Sequence, residues 1–285
     1  MNKKSYQYII FICLISWLIA GAAILLGLHF ENGYHVVFSS VYMCLPAICA
    51  IIMQIIHREK PLKDLLISFR LNWWFLAAGV VPAIYAFIAL GIILIFPNVS
   101  FSYSQKSFLG SLPFIVNVVQ RQVFPVQLLC ALIVGSTVNA FPAFGEELGW
   151  RGYLLKALAD KHFLIGSLIT GIVWGLWHFP FILMGLNYPE YPIAGIGMMT
   201  MNCVLMCPMM AYITIKSKSV IAAAVFHGNI NAFSGFSIYS TGSNDLINAT
   251  SQCIALLLVN FAFFLFDKYI TKENIFTRKI GSILT

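Results

Sequence analysis

Six side chains in this 285-residue chain have the types and spacing for acid–base chemistry: Glu146, Glu147, Arg151, His178, His227 and Asn231. Glu147 and Arg151 are at i,i+4, so on a helix they share a face and can pair. Glu146 is rotated by about 100° from Glu147 and need not be spent on the arginine. His227 and Asn231 are also at i,i+4 and project in one direction. Trp174 and His178 repeat the spacing, which sets an indole beside an imidazole. A carboxylate and a neutral imidazole can together hold and deprotonate a water. A second histidine and an asparagine on one helix face supply N–H donors for a developing oxyanion. These parts suit hydrolysis of a peptide bond by an activated water. No serine or cysteine nucleophile is needed, and Ser136 and Ser167 have no recognisable elbow or partner. Zinc is the rival within the same reaction, since two histidines and a glutamate can bind it and leave a water site open. Those ligands would be Glu146, His178 and His227, without the usual HExxH helix. Spacing alone does not separate metal-bound from metal-free water.

The elements that must position these groups lie in lipid. The chain is 60% hydrophobic and 9% charged, against about a quarter charged in a soluble domain. Its mean hydropathy is +0.87. Such a chain cannot cover a water-facing surface with polar groups, and spanning helices need about 20 apolar residues each. Apolar segments are expected at 8–29, 36–56, 73–96, 127–157, 163–185, 193–215, 219–240 and 246–267. The fold class is therefore all-α, a polytopic membrane protein of about eight transmembrane helices. Residues 1–285 form a single integral membrane domain, with 134–233 as its catalytic core. Pro125 is expected to start the fourth segment and Pro142 to kink it. The loop 97–126 is expected to carry a short interfacial helix near Phe114–Val119.

The net charge of +7 is spread between apolar runs, which excludes a nucleic-acid-binding patch. Lys and Arg collect in alternate connections: before the first segment, at 58–70, at 156–161, at 216–218 and at the C-terminal end. Lys106 and Arg121 are the few on the other side. This alternation places both termini in the cytoplasm, in what is expected to be a bacterial cell membrane. The first segment continues past the weak "AGA" cleavage candidate at Ala20–Ala22 and is read as a retained span. Seven cysteines fall inside apolar runs without a CxxC pair and are expected to act as small buried hydrophobes. A redox or metal pair at Cys203 and Cys207 is the alternative.

Intramembrane ionisable residues are functional candidates by default. Asp64, Asp160, Asp245 and Asp267, like His29, His35, His57 and His162, lie at segment ends and read as interfacial. The six residues above remain inside. Glu146 and His178 are each about 16 residues from the break near Lys161 and His162, roughly 24 Å along each helix at 1.5 Å per residue. That puts them at one level. His227 lies only about 10 residues past the Lys216–Lys218 break, a mismatch that tilt or a longer turn after Tyr153 must absorb.

The sequences "EELGWR" (Glu146 to Arg151), "WGLWH" (Trp174 to His178) and "HGNIN" (His227 to Asn231) resemble the EExxxR, aromatic-xxx-His and HxxxN motifs of the CAAX protease and bacteriocin-processing (CPBP, Abi) family. The trio occurs in order, on separate segments, and the resemblance covers roughly Val134 to Phe233. It implies an intramembrane endopeptidase in which Glu146 and His178 activate water, with no cofactor required as the favoured form and zinc or another divalent metal as the alternative, and in which His227 and Asn231 form the oxyanion site. Glu147 and Arg151 would support the site or bind substrate, with Trp174 beside them. The implied substrate is a membrane-associated peptide or CAAX-like tail reached from the lipid bilayer, with no nucleic acid involved. The alternative is a non-proteolytic membrane regulator or bacteriocin-immunity protein that acts by binding. A transporter is a third reading, against which the missing repeat symmetry argues. The patterns assign neither a cleavage position nor an oligomeric state.

Overall fold

Backbone N–H and C=O groups find no water in hydrocarbon, so apolar runs of this length satisfy them internally as helices. A computed structural model describes residues 2–27, 35–101, 124–233 and 240–284. Its helices are α1 (Lys3–Leu25), α2 (His35–Met43), α3 (Leu45–Ile56) and α4 (Trp73–Ile93). There follows a long composite α5 that runs through Phe124–Val134, Gly135–Asn139, Ala140–Glu147, Leu148–Leu154 and Leu155–Ala157. Then come α6 (Phe163–Trp177), α7 (Phe179–Leu183), α8 (Pro192–Ser217), α9 (Val220–Phe233) and α10 (Asp245–Leu265). Two short strands, Ser100–Phe101 and Ser240–Thr241, pair antiparallel.

Among the described residues seven helical stretches are long and apolar enough to cross a membrane, with α9 as a shorter apolar helix of 14 residues. Leu18, Val41, Phe141 and Phe261 are among many large apolar side chains facing outward. In water such a surface would aggregate; against lipid it is the expected solvent-facing layer. The all-α polytopic reading therefore holds. Part of the seventh expected segment, and the interfacial helix expected at Phe114–Val119, lie outside the described residues.

Contacts at one end of the bundle tie the basic segments together. Lys4 pairs with Glu59, and Lys216 with Glu273. Asn2 Nδ2 donates to the Ala157 carbonyl at 2.7 Å, and Gly281 N to that of Ala159 at 2.8 Å. At the opposite end, the backbone N–H of Glu190 donates to Asp245 Oδ2 at 2.9 Å. The two chemically distinct faces expected from the charge pattern are thus separate ends of one bundle.

The central element is α9. It is almost wholly buried and apolar apart from His227, Asn229 and Asn231. It packs on α4, α5 and α8. Gly228 makes the closest approach on this helix: a Cβ there would run into the Gly135 carbonyl oxygen and lie 2.6 Å from the Ala140 nitrogen, and one on Gly135 would lie 2.6 Å from Asn229 Oδ1. Small residues allow two backbones in a membrane to approach this closely. Asn229 Nδ2 then donates to Ser136 Oγ at 2.9 Å across the same crossing.

Candidate active site

α5 carries the two carboxylates at the end of its central α-helical stretch, Ala140–Glu147. π-Helical turns precede it at Gly135–Asn139 and follow it at Leu148–Leu154. Pro142 supplies no N–H to the turn behind it, and the first π turn is where α5 departs from regular winding. The second holds Arg151. Glu146 and Glu147 are 2% and 0% exposed.

Glu147 is the electrostatic anchor. Arg151 Nη1 lies 3.0 Å from its Oε1, where it donates a hydrogen bond, and 2.9 Å from Oε2. The same Oε1 faces His227 Nδ1 at 2.8 Å. A carboxylate oxygen only accepts, so Nδ1 is the donor. Arg151 Nη2 donates to Cys207 Sγ at 3.1 Å, and its Cζ sits 4.6 Å over the Trp174 ring. The arginine is thus held by a carboxylate, a sulfur and a π face, as a buried guanidinium requires.

Glu146 has different partners. Trp174 Nε1 donates to its Oε2 at 2.7 Å, and Trp150 Nε1 approaches the same oxygen at 3.4 Å. Trp174 is the hub of the site: its ring centroid lies 5.3 Å from that of His227 and 5.8 Å from that of His178. The helix end explains the placement of His178. Its backbone N–H bonds to the Gly175 carbonyl at 3.1 Å, which releases the Trp174 carbonyl from the ladder. His178 Nδ1 lies 2.8 Å from that carbonyl. A carbonyl cannot donate, so Nδ1 carries the proton and Nε2 of the neutral ring keeps its lone pair.

A cavity of about 350 Å³ opens beside these groups, lined by Trp174, His178, His227 and Asn231. Glu146 is not part of the lining; Trp174 is both its hydrogen-bond partner and a wall residue. Asn187, in the 184–191 connection, and Asp245, the first residue of α10, also line the cavity. Its mouth therefore lies at the end of the bundle remote from the basic segments. All seven residues singled out in the sequence fall in this region: Glu147, Arg151 and His227 in one hydrogen-bonded group, Glu146, Trp174 and His178 in another, and Asn231 in the lining. Trp150 and Cys207 complete the two groups. Trp150 stands at i,i+4 from Glu146, a spacing that could have identified it; Cys207, read from the sequence as a buried hydrophobe or a partner of Cys203, is a free thiol that accepts from Arg151, a contact no spacing signals.

A metal would need three of these donors to converge on one point. Among the described residues no three His, Cys, Asp or Glu side chains gather as a ligand set. Glu147 engages His227, the Trp174 carbonyl engages His178, and Glu146 faces indoles. Both histidine contacts use Nδ1 and leave Nε2 open, but Glu146, His178 and His227 are not gathered as a ligand set among the described residues.

Residues 125–233 match the family model described as "Type II CAAX prenyl endopeptidase Rce1-like". The chain is also 29% identical over 212 residues to "CAAX prenyl protease 2" of Methanococcus maripaludis, covering 68% of this chain and 72% of the relative.

Proposed function

Since this chain belongs to the CAAX protease and bacteriocin-processing (Abi) family, we propose that it is an intramembrane endopeptidase acting on a membrane-associated peptide. The observation that carries the reading is the division of labour between adjacent carboxylates, with Glu147 engaged by Arg151 and His227 while Glu146 stands apart. Both indole bonds to Glu146 end on Oε2, so Oε1 is the oxygen through which it would hold a water. His178 Nε2, free of a proton, is the second acceptor. Together they orient and deprotonate the water that attacks the scissile carbonyl. As the carbonyl oxygen becomes an oxyanion, the Asn231 amide and the imidazolium form of His227 donate to it. That form carries an N–H on each nitrogen, and Glu147 balances its charge. Arg151 keeps Glu147 in place. The leaving amine takes its proton from the acid formed in the first step.

Water activation without a metal is the form proposed, since a carboxylate and a neutral imidazole can supply it by themselves. A prenylated CAAX-type tail is the substrate class suggested by the relative's name, since a lipid anchor would deliver the peptide to a buried site. The test is cleavage of a farnesylated peptide ending Cys-Val-Ile-Met by the purified protein in detergent. Wild type should cleave it and Glu146→Gln should lose activity while staying folded. Equal cleavage by both would remove Glu146 from the role of base. Cellular function retained by Glu146→Gln and His178→Ala would favour the alternative, a binding or immunity role.

A further inference from the structure

The cavity has a polar wall that the reaction above does not use. Asn202 on α8 lines it and is 3% exposed. Its Nδ2 donates to the Met198 carbonyl at 3.2 Å and faces the Tyr188 hydroxyl at 3.4 Å. The Met198 carbonyl can only accept, which fixes the amide's orientation. Asn202 Oδ1 is then buried with no hydrogen-bond partner among the described residues. Asn248 on the neighbouring helix α10 also lines the cavity, and its Oδ1 is likewise buried and without a partner among the described residues. Buried amide oxygens are nearly always satisfied, and each exception calls for an explanation. Two in the lining of one cavity, among Tyr85, Met199, Met206 and Ile230, have the composition of a recognition site, apolar with a few convergent polar groups.

These oxygens need a ligand that brings N–H donors. Tyr188 supplies the complementary group: burial pushes its phenol well above the ordinary range, so its O–H stays a donor. Two acceptors and a donor match an extended peptide, whose main chain offers N–H and C=O groups in alternation. A carboxylate or phosphate ligand would find acceptors where it needs donors.

We propose that Asn202 and Asn248 form a substrate subsite that accepts main-chain N–H groups of an extended peptide, with Tyr188 donating to one of its carbonyls. The apolar lining then selects apolar side chains on the bound segment. This deepens the peptidase reading and rests on it for the identity of the occupant.

The test uses binding as well as cleavage. The farnesylated Cys-Val-Ile-Met peptide and analogues with single main-chain N-methyl groups are titrated onto Glu146→Gln, alone and combined with Asn202→Ala or Asn248→Ala. Each alanine variant should weaken binding about three- to tenfold, the range of one neutral hydrogen bond. One N-methyl position should cost a similar factor with Asn202 present and nothing further with Asn202→Ala. In the active protein, Asn202→Ala should raise KM and leave kcat within about twofold. Tyr188→Phe, which keeps Asn202 Oδ1, should leave the N-methyl coupling intact. Equal N-methyl penalties in all variants, or no binding of the peptide, would overturn the subsite. Cleavage without that coupling would sink the subsite and leave the peptidase reading standing. Coupled binding without cleavage by wild type would do the reverse.

Discussion

His227 Nδ1 lies 2.8 Å from Glu147 Oε1, the oxygen to which Arg151 also donates. The second histidine is therefore tied to the second carboxylate, 80 residues away in sequence. The first carboxylate is left to the indoles and, on our proposal, to water.

Removing Arg151 should show how much the anchor contributes. Arg151→Ala leaves Glu147 fully buried with His227 as its remaining partner, and breaking a buried pair from one side costs about 3–5 kcal/mol. The double variant Glu147→Gln/Arg151→Met should recover much of that loss, because no buried charge is stranded. Unfolding midpoints in detergent measure both. A double variant as unstable as Arg151→Ala would show that packing, rather than charge, is what the arginine supplies.

Trp174→Phe keeps an aromatic wall but deletes the 2.7 Å hydrogen bond to Glu146. A hydrogen bond to a charged group is worth about 1.5–3 kcal/mol, so peptide cleavage should fall about 10- to 100-fold with the fold retained. Trp150→Phe deletes the 3.4 Å approach and should cost less. Steady-state kinetics on the two purified variants would reveal a reversed order, which would contradict the hub role of Trp174.

Gly228→Ala should damage the site through geometry alone. The added Cβ would lie 2.6 Å from the Ala140 nitrogen, and overpacking of this kind costs about 1–3 kcal/mol. It would also push α9, and with it His227, away from Glu147. Gly21→Ala, where a Cβ meets nothing within 4 Å, serves as the control. Thermal stability and peptide cleavage together separate the two variants.

Chelation should leave activity unchanged. Protein purified with and without EDTA should cleave at equal rates, and elemental analysis should find well under one metal ion per chain. Loss of activity on chelation that zinc restores would overturn the metal-free reading.

The placement of basic segments at one end predicts cytoplasmic termini. Epitope tags at both ends should be protected in intact cells, while a tag in the 184–191 connection should be reached from outside. The reverse pattern would place the cavity mouth in the cytoplasm.

The sequence made some of this site legible and left other parts hidden, for physical reasons. Glu147 with Arg151 was readable because i,i+4 geometry is local to one helix. The separation of Glu146 followed from the same rule. The helices were readable because lipid permits few alternatives. The His227–Glu147 bond was not, since depth counting assumed α-helical rise throughout. The π turn at Leu148–Leu154 closes its hydrogen bonds at i→i+5, so it climbs less per residue, in the direction needed to reduce the mismatch in depth. The release of the Trp174 carbonyl depends on a helix end at His178 that periodicity did not mark. Asn202 and Asn248 sit in apolar runs with no motif around them; only the cavity they share singles them out.

The five residues from His227 to Asn231 answer to four separate demands. His227 meets Glu147, Gly228 meets a neighbouring backbone, Asn229 bonds Ser136, and Ile230 and Asn231 line the cavity. Successive side chains point about 100° apart, so neighbouring letters meet different surroundings. A scan of all substitutions should therefore find this segment almost uniformly intolerant, including the positions that never meet the reacting atoms. The outward face of α1, which lipid alone contacts, should accept nearly any apolar residue. In this molecule the information is concentrated where one short helix is read from every side at once.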